Sequence, residues 1–163
     1  MSGALSALEA DYIIENVSMK IDTPVRWQRH GLQLTSTVAV VGPGIEADLV
    51  MDIHVPPTMP GKYSFNLRQV GHAVIRRLDV RGSHTNPREM GVPERWAMRT
   101  HKHRYRDGFG DAFAYTPDDI PDTSSPVDSP EPGEHEAVFR AFCNECGIDP
   151  QSCWVDPPLE VAQ

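Results

Sequence analysis

Long apolar runs are missing from this 163-residue sequence, and none approaches the roughly 18 consecutive apolar residues of a membrane-spanning helix. Its first residues hold no basic region followed by an apolar run and a small-residue cleavage site, so no secretory leader is read there. Cysteine is scarce: three residues are an odd number and too few for a disulfide framework, which points to reduced thiols. The expected setting is therefore the cytoplasm, without a membrane partner. A Gly-rich phosphate loop, a Gly-x-Ser-x-Gly elbow and a His-Glu-x-x-His helix are absent too, as are internal repeats and heptads. No motif identifies a reaction, and no cofactor is expected.

What is present is proline, 15 residues, beside a modest 39% of hydrophobic residues. That balance describes a single domain over 1–163 with a real core and long irregular edges. It divides into a sheet over 11–115, an acidic Pro-rich linker over 116–133 and a C-terminal helix over 134–147.

The net charge of −8 hides an asymmetry. Arg68 to Arg106 holds ten bases against three acids, a net +7, whereas Asp107 to the end holds thirteen acids and one base, a net −12. Such a chain can present a basic surface to a nucleic acid, or pair the two halves internally.

Read in order, Ala4 to Ala10 is a short helix or a frayed end. Tyr12 to Ile21 reads as a strand, ended by Asp22-Thr23-Pro24. Val25 to Arg29 and Leu32 to Val41 are two strands hinged at Gly31. In Ala47 to Val55 the alternation sends Leu49, Met51, Ile53 and Val55 one way and Asp48, Asp52 and His54 the other. Lys62 to Val70 alternates with Tyr63, Phe65 and Leu67 inward, and Ala73 to Val80 follows. Arg81 to Arg95 reads as a long loop, Trp96 to Tyr105 as a strand, and Ala112 to Tyr115 as a short last strand. Thr116 to Gly133 is rich in Pro, Asp and Ser and holds few large apolar groups, hence a linker. Glu134 to Cys146 has helical spacing, with Phe139, Phe142, Cys143 and Cys146 on one face and Gly147 as the cap. The fold class is α+β, an antiparallel meander of five to seven strands with the C-terminal helix packed on one face. A β-sandwich with an appended helix is the alternative.

Chemistry concentrates between Arg68 and Asp111. On a strand, His101, His103 and Tyr105 share a face, and Lys102 and Arg104 lie on the other. Two imidazoles so spaced can chelate a metal or act as general acid and base, since the His pKa lies near neutrality. His84 and Asp79 can complete the set, and an Arg from Arg76, Arg77, Arg104 or Arg106 can steady a phosphate. The candidate catalytic residues are His101, His103 and His84; the candidate ligand-binding residues are Arg77, Arg104, Arg106, Asp79 and Tyr105. The competing reading has His101 and His103 hydrogen-bonded to Asp79, Asp111 or backbone as part of the sheet. A His-x-His pair without further ligands at familiar spacing is no metal signature, and no metal ligand is assigned. Arg76 points to the Val74 and Leu78 face, toward a buried acid. His84-Thr85-Asn86-Pro87 reads as a turn bonded to nearby backbone. Cys143 and Cys146, at the end of a helix, read as small buried hydrophobes rather than a reactive pair.

The pattern Leu78-Asp79, Gly82, His84-Thr85-Asn86-Pro87, His101 to Tyr105, Gly108, Asp111 and Ala114-Tyr115 resembles an uncharacterised family of small bacterial proteins. It covers roughly residues 63 to 146, with a longer insert between Pro87 and Thr100 and a longer acidic linker here. Members look like products of phages and integrating elements, so the resemblance implies a kind of genome and no chemistry. Three functions follow as expectations. The first is binding or acting on nucleic acid or a phosphorylated ligand through the His/Arg cluster. The second is an interaction protein, an inhibitor or adaptor of a host protein. The third is a zinc-stabilised domain, and a mixed site of Cys143 and Cys146 with His101 and His103 is one form it can take.

Overall fold

The computed structural model describes residues 3–91, 94–120 and 125–159. Period-two alternation builds its main sheet. Strands β2 (Gln28–His30), β3 (Gln33–Val40), β4 (Leu49–Val55), β5 (Ser64–Gln69), β6 (Val74–Thr85), β7 (Arg95–Arg106) and β8 (Gly110–Tyr115) pair in that order, each antiparallel to the next. This is the expected meander, at the upper end of the expected strand number. Alternate residues of β4 and β5 (Leu49, Met51, Ile53, Val55, Phe65 and Leu67) are buried. A separate parallel pair joins β1 (Met19–Lys20) to β9 (Ile148–Asp149).

Two helices serve the apolar face. Helix α2 (Glu134–Glu145) lays Phe139 and Phe142 on Phe65, with ring centroids 5.5 and 6.1 Å apart. Burying an aromatic ring of this size contributes about 2–3 kcal/mol. Cys143 and Cys146 lie on the same buried side as free thiols. Gly147 ends the helix at φ 69°, where a Cβ would also strike the Ile14 carbonyl at 2.5 Å, so glycine is required there twice over.

Helix α1 (Ala7–Asn16) corrects the strand expected from Tyr12 to Ile21. Ser6 caps it and Glu9 bonds back to the Ser6 amide, a reciprocal box that satisfies two otherwise unpaired amides. Ala10, Ile13, Ile14 and Val17 then fall on one side and join the core, a spacing of three and four that outweighs the β-branched run. Arg76 and Arg104 both reach Asp11 and tie this helix to the sheet, so the acid that meets Arg76 is Asp11, half-buried where a buried one was expected.

The loop expected from Arg81 to Arg95 is shorter than read. Strand β6 runs on to Thr85, and a 3-10 turn follows over Arg88–Met90; Val92 and Pro93 lie outside the described residues. The Asn86 side chain mimics a strand residue toward β8, its Nδ2 donating to the Ala114 carbonyl and its Oδ1 accepting from the Ala114 N–H. The stretch read as a linker touches the body at several described points. Ile120 is buried in the core, the Val127 carbonyl accepts from Gly61 N–H at 2.7 Å, and Ser125 bonds Arg81 and Glu134. Residues 121–124 of it lie outside the described residues. Among the described residues, no helix is long and apolar enough to cross a membrane.

Candidate functional site

Among the described residues the sheet has one face without helices, and polar residues of neighbouring strands line up across it. The ladder register places Thr35, His54, Ser64, Asp79 and His101 in one row, and Thr37, Asp52, Asn66, Arg77 and His103 in the next. Four of the residues singled out from the sequence, Arg77, Asp79, His101 and His103, are therefore assembled by register alone.

Two bulges complete the arrangement. Between Asp79 and Gly82 strand β6 carries one residue more than β7, and between Gly82 and His84 the excess passes to β7. The residues absorbing these irregularities, Arg81 (φ 54°) and Met98 (φ 53°), occupy the left-handed region, which costs a non-glycine residue roughly 1–3 kcal/mol. Each extra residue reverses the parity of the side chains beyond it. His84 and Trp96, both even-numbered, thereby join the odd-numbered Asp79, His101 and His103. The Trp96 ring stacks on His101 at 5.4 Å and the His84 ring meets His103 at 4.6 Å. Gly82 makes this closeness possible, because a Cβ there would lie 2.9 Å from the Asp79 Cβ and 3.0 Å from His101 Cε1.

The orientation of the two imidazoles is fixed from behind. His101 Nδ1 lies 2.9 Å from the Arg99 carbonyl and His103 Nδ1 lies 2.7 Å from the Asp111 carbonyl. A carbonyl only accepts, so both Nδ1 atoms carry the proton. Both Nε2 atoms then turn toward Asp79 Oδ2, at 3.3 and 3.2 Å. The distances are short, yet neither Nε2 has hydrogen-bond geometry to any group among the described residues. His101 is 0% exposed and His103 2%. Arg77 grips the same carboxylate through Nε at 2.9 Å and a terminal nitrogen at 2.8 Å, and reaches Asp111 at 3.6 Å. Burial alone would raise the Asp79 carboxyl, but the side chains around it, Arg77 with its two close contacts among them, outweigh burial and hold it far below the usual carboxylate range.

Beside the cluster is a cleft of about 370 Å³ whose walls include Arg77, Asp79, Gly82, His54, Lys62 and Ser64. Sequence reasoning missed Lys62, and it passed over His54 and Ser64, although the alternation of β4 and β5 already put both on the polar face. Burial pushes His54 below its usual value, against the pull of Asp52.

The other candidates lie elsewhere. Arg104 is on the helix-covered face with Asp11, Arg106 stacks 3.7 Å above the Phe113 ring, and Tyr105 packs against the hydrophobic core. His84 touches the cluster by its ring, but its Nε2 turns away to the Ala112 carbonyl at 2.8 Å. Cys143 and Cys146 are on α2, across the sheet, so the mixed Cys/His zinc site is not built. Burial raises both thiols, as their reading as buried hydrophobes requires.

Much of the basic segment is spent internally. Arg68 pairs with Asp52, Arg77 with Asp79 and Asp111, Arg81 with Glu134, and Lys102 with Asp119 and Glu145, besides the two bases on Asp11. The acid-rich C-terminal part supplies Asp111, Asp119, Glu134 and Glu145 to these pairs.

A model of a protein family described as a family of unknown function (DUF6978) matches residues 5–148. The expectation of an uncharacterised family holds at that level and over a longer stretch than the resemblance covered. No curated protein and no solved structure matches the chain.

Proposed function

We propose, for a chain that belongs to this family of unknown function, that it binds a phosphorylated ligand in the cleft beside Asp79. The observation that carries the reading is the convergence of Lys62, His54 and Arg77 on one cleft, with hydroxyl and amide donors from Ser64, Ser83 and Gln33 around them. Lys62 has no acid partner among the described residues and is half-buried, so its charge is available to an anion. The ligand chemistry is a phosphate monoester or diester, whether of a small metabolite or of a short single-stranded nucleic acid. A long duplex is the poorer fit, because six of the segment's bases are already paired with acids of the same chain. His101 and His103 are buried beside the Asp79 carboxylate, which holds Arg77 in place. We read the protein further as a cytoplasmic product of a phage or integrating element, on the resemblance of its Leu78-to-Tyr115 pattern.

The test is a titration of the whole protein with inorganic phosphate, a phosphomonoester and a dinucleotide, followed by amide chemical shifts. Shifts confined to His54, Lys62, Ser64 and Arg77, weakened about tenfold by Lys62→Met, are expected; that factor is worth about 1.4 kcal/mol. A response to the dinucleotide alone selects the nucleic-acid source. Silence of these residues at millimolar concentrations of all three overturns the reading.

A further inference from the structure

We propose that Asp79, His101 and His103 form a binding site for one divalent first-row transition-metal ion. One carboxylate oxygen and two Nε2 atoms all lie within 4.8 Å of one another. The two N–O separations, 3.3 and 3.2 Å, are those of donors that share an ion. Ligands about 2.0–2.1 Å from a tetrahedral ion stand roughly 3.3 Å apart.

The backbone decides which ring nitrogen is offered. Both Nδ1 protons are committed to the Arg99 and Asp111 carbonyls. A neutral ring therefore presents its Nε2 lone pair to a carboxylate that is itself rich in electrons. Two buried lone pairs aimed at a carboxylate repel one another unless a cation lies between them. That cation is a pair of protons or a metal ion. Protons would draw each N–H onto the carboxylate, and neither Nε2 has the geometry of such a bond. A metal ion needs the three donors to point at a common centre instead of at each other.

The surroundings are those of a supported site. A carbonyl on the far nitrogen of each imidazole fixes its tautomer and orientation, and Arg77 holds the carboxylate from the other side. Arg77 costs some affinity by its charge, but Asp111 offsets it, so that Asp79, Asp111 and Arg77 together leave one negative charge for a dication. Two imidazoles and one carboxylate select zinc, iron, cobalt or manganese over calcium or magnesium, which take oxygen ligands. Gly82 keeps the space beside the donors free of a Cβ.

The site does not depend on the phosphate reading, and its test uses no phosphate. The full chain, stripped with a chelator, is titrated with Zn2+ by calorimetry and with Co2+ by visible absorption. One ion per chain is expected, with a cobalt spectrum free of thiolate charge transfer. His101→Gln and His103→Gln should each weaken binding at least a hundredfold, and His84→Gln by less than threefold. Should the ligand variants fail to fold, long-range 1H–15N spectra of the unmodified protein decide. Zinc should shift the Nε2 resonances of two histidines while their Nδ1 atoms stay protonated. No binding, thiolate charge transfer with Co2+, or protons retained on both Nε2 atoms in excess zinc would overturn the site.

Discussion

At the scale of single residues, the site depends on positions that do no chemistry. His101 and His103 could be placed on one face from the sequence because strand parity needs no partner to be known. Asp79 followed from its place near a strand end. His84 and Trp96 could not be so placed, because two bulges at Arg81 and Met98 reverse their parity and neither residue type announces a positive φ. Gly82, between the two bulges, is the test. In Gly82→Ala the new Cβ meets Asp79 and a fully buried His101 inside normal contact distance, and neither neighbour is the free end of a flexible chain. Overpacking of this kind costs roughly 1–3 kcal/mol. For a chain of this size that corresponds to a fall in Tm of roughly 2–12 °C, read by calorimetry. An unchanged Tm would mean that the β6 backbone relaxes freely and that the tight packing around Asp79 is incidental.

At the scale of elements, the strands of the main sheet and α2 were legible because their periodicity is local. Helix α1 was not, because Tyr12-Ile13-Ile14 favours a strand locally, while the evidence for a helix lies before it, in Ser6 and Glu9. Its anchor was also out of reach, since Asp11 and Arg104 are 93 residues apart. That anchor gives the helix a pH dependence. Burial alone would raise the Asp11 carboxyl, but hydrogen bonds from Arg76 and Arg104 outweigh it and lower it below its ordinary 3.8. A carboxyl lowered on folding adds stability that is present above its unfolded value and is lost as pH falls through its folded value. Helix α1 should therefore stay docked at neutral pH and loosen below about pH 3.8, seen as rising amide exchange over Ala7–Asn16. Asp11→Asn should show the same loosening at pH 7. The substitution should cost less than the roughly 3–5 kcal/mol of a fully buried pair, because Asp11 is half-buried, yet it leaves the buried Arg76 beside a neutral group. Exchange in Asp11→Asn equal to the unmodified protein would remove the ion pair as the anchor.

At the scale of the whole molecule, the two faces of the sheet are coupled through Arg81. Its strained backbone lies two residues from Asp79, and its side chain leaves the site for Glu134 at the start of α2. There Glu134 accepts also from Tyr63 at 2.9 Å and from Ser125 at 3.0 Å, and Arg81 bonds the Gly61 carbonyl. Both charges are buried, with side chains 8% and 6% exposed, so the pair is neutralised from within. The charge asymmetry of the sequence takes its structural meaning here, because an acid of the C-terminal part compensates a base at the site's bulge. Removing the acid leaves a guanidinium without a counter-charge in the interior, a change worth roughly 3–5 kcal/mol. Glu134→Ala should lower the urea midpoint accordingly with an unchanged slope. It should also deprotect the amides of Val80 to Gly82, which a mere loss of contacts at α2 would leave alone. Glu134→Gln, which keeps the shape and some of the hydrogen bonds, should fall between the two. If Glu134→Ala shifts the midpoint but leaves these amides protected, Arg81 is a peg for the helix and the bulge holds its shape unaided. If they open together, α2 helps to hold the strained turn that brings His84 and Trp96 to the cluster.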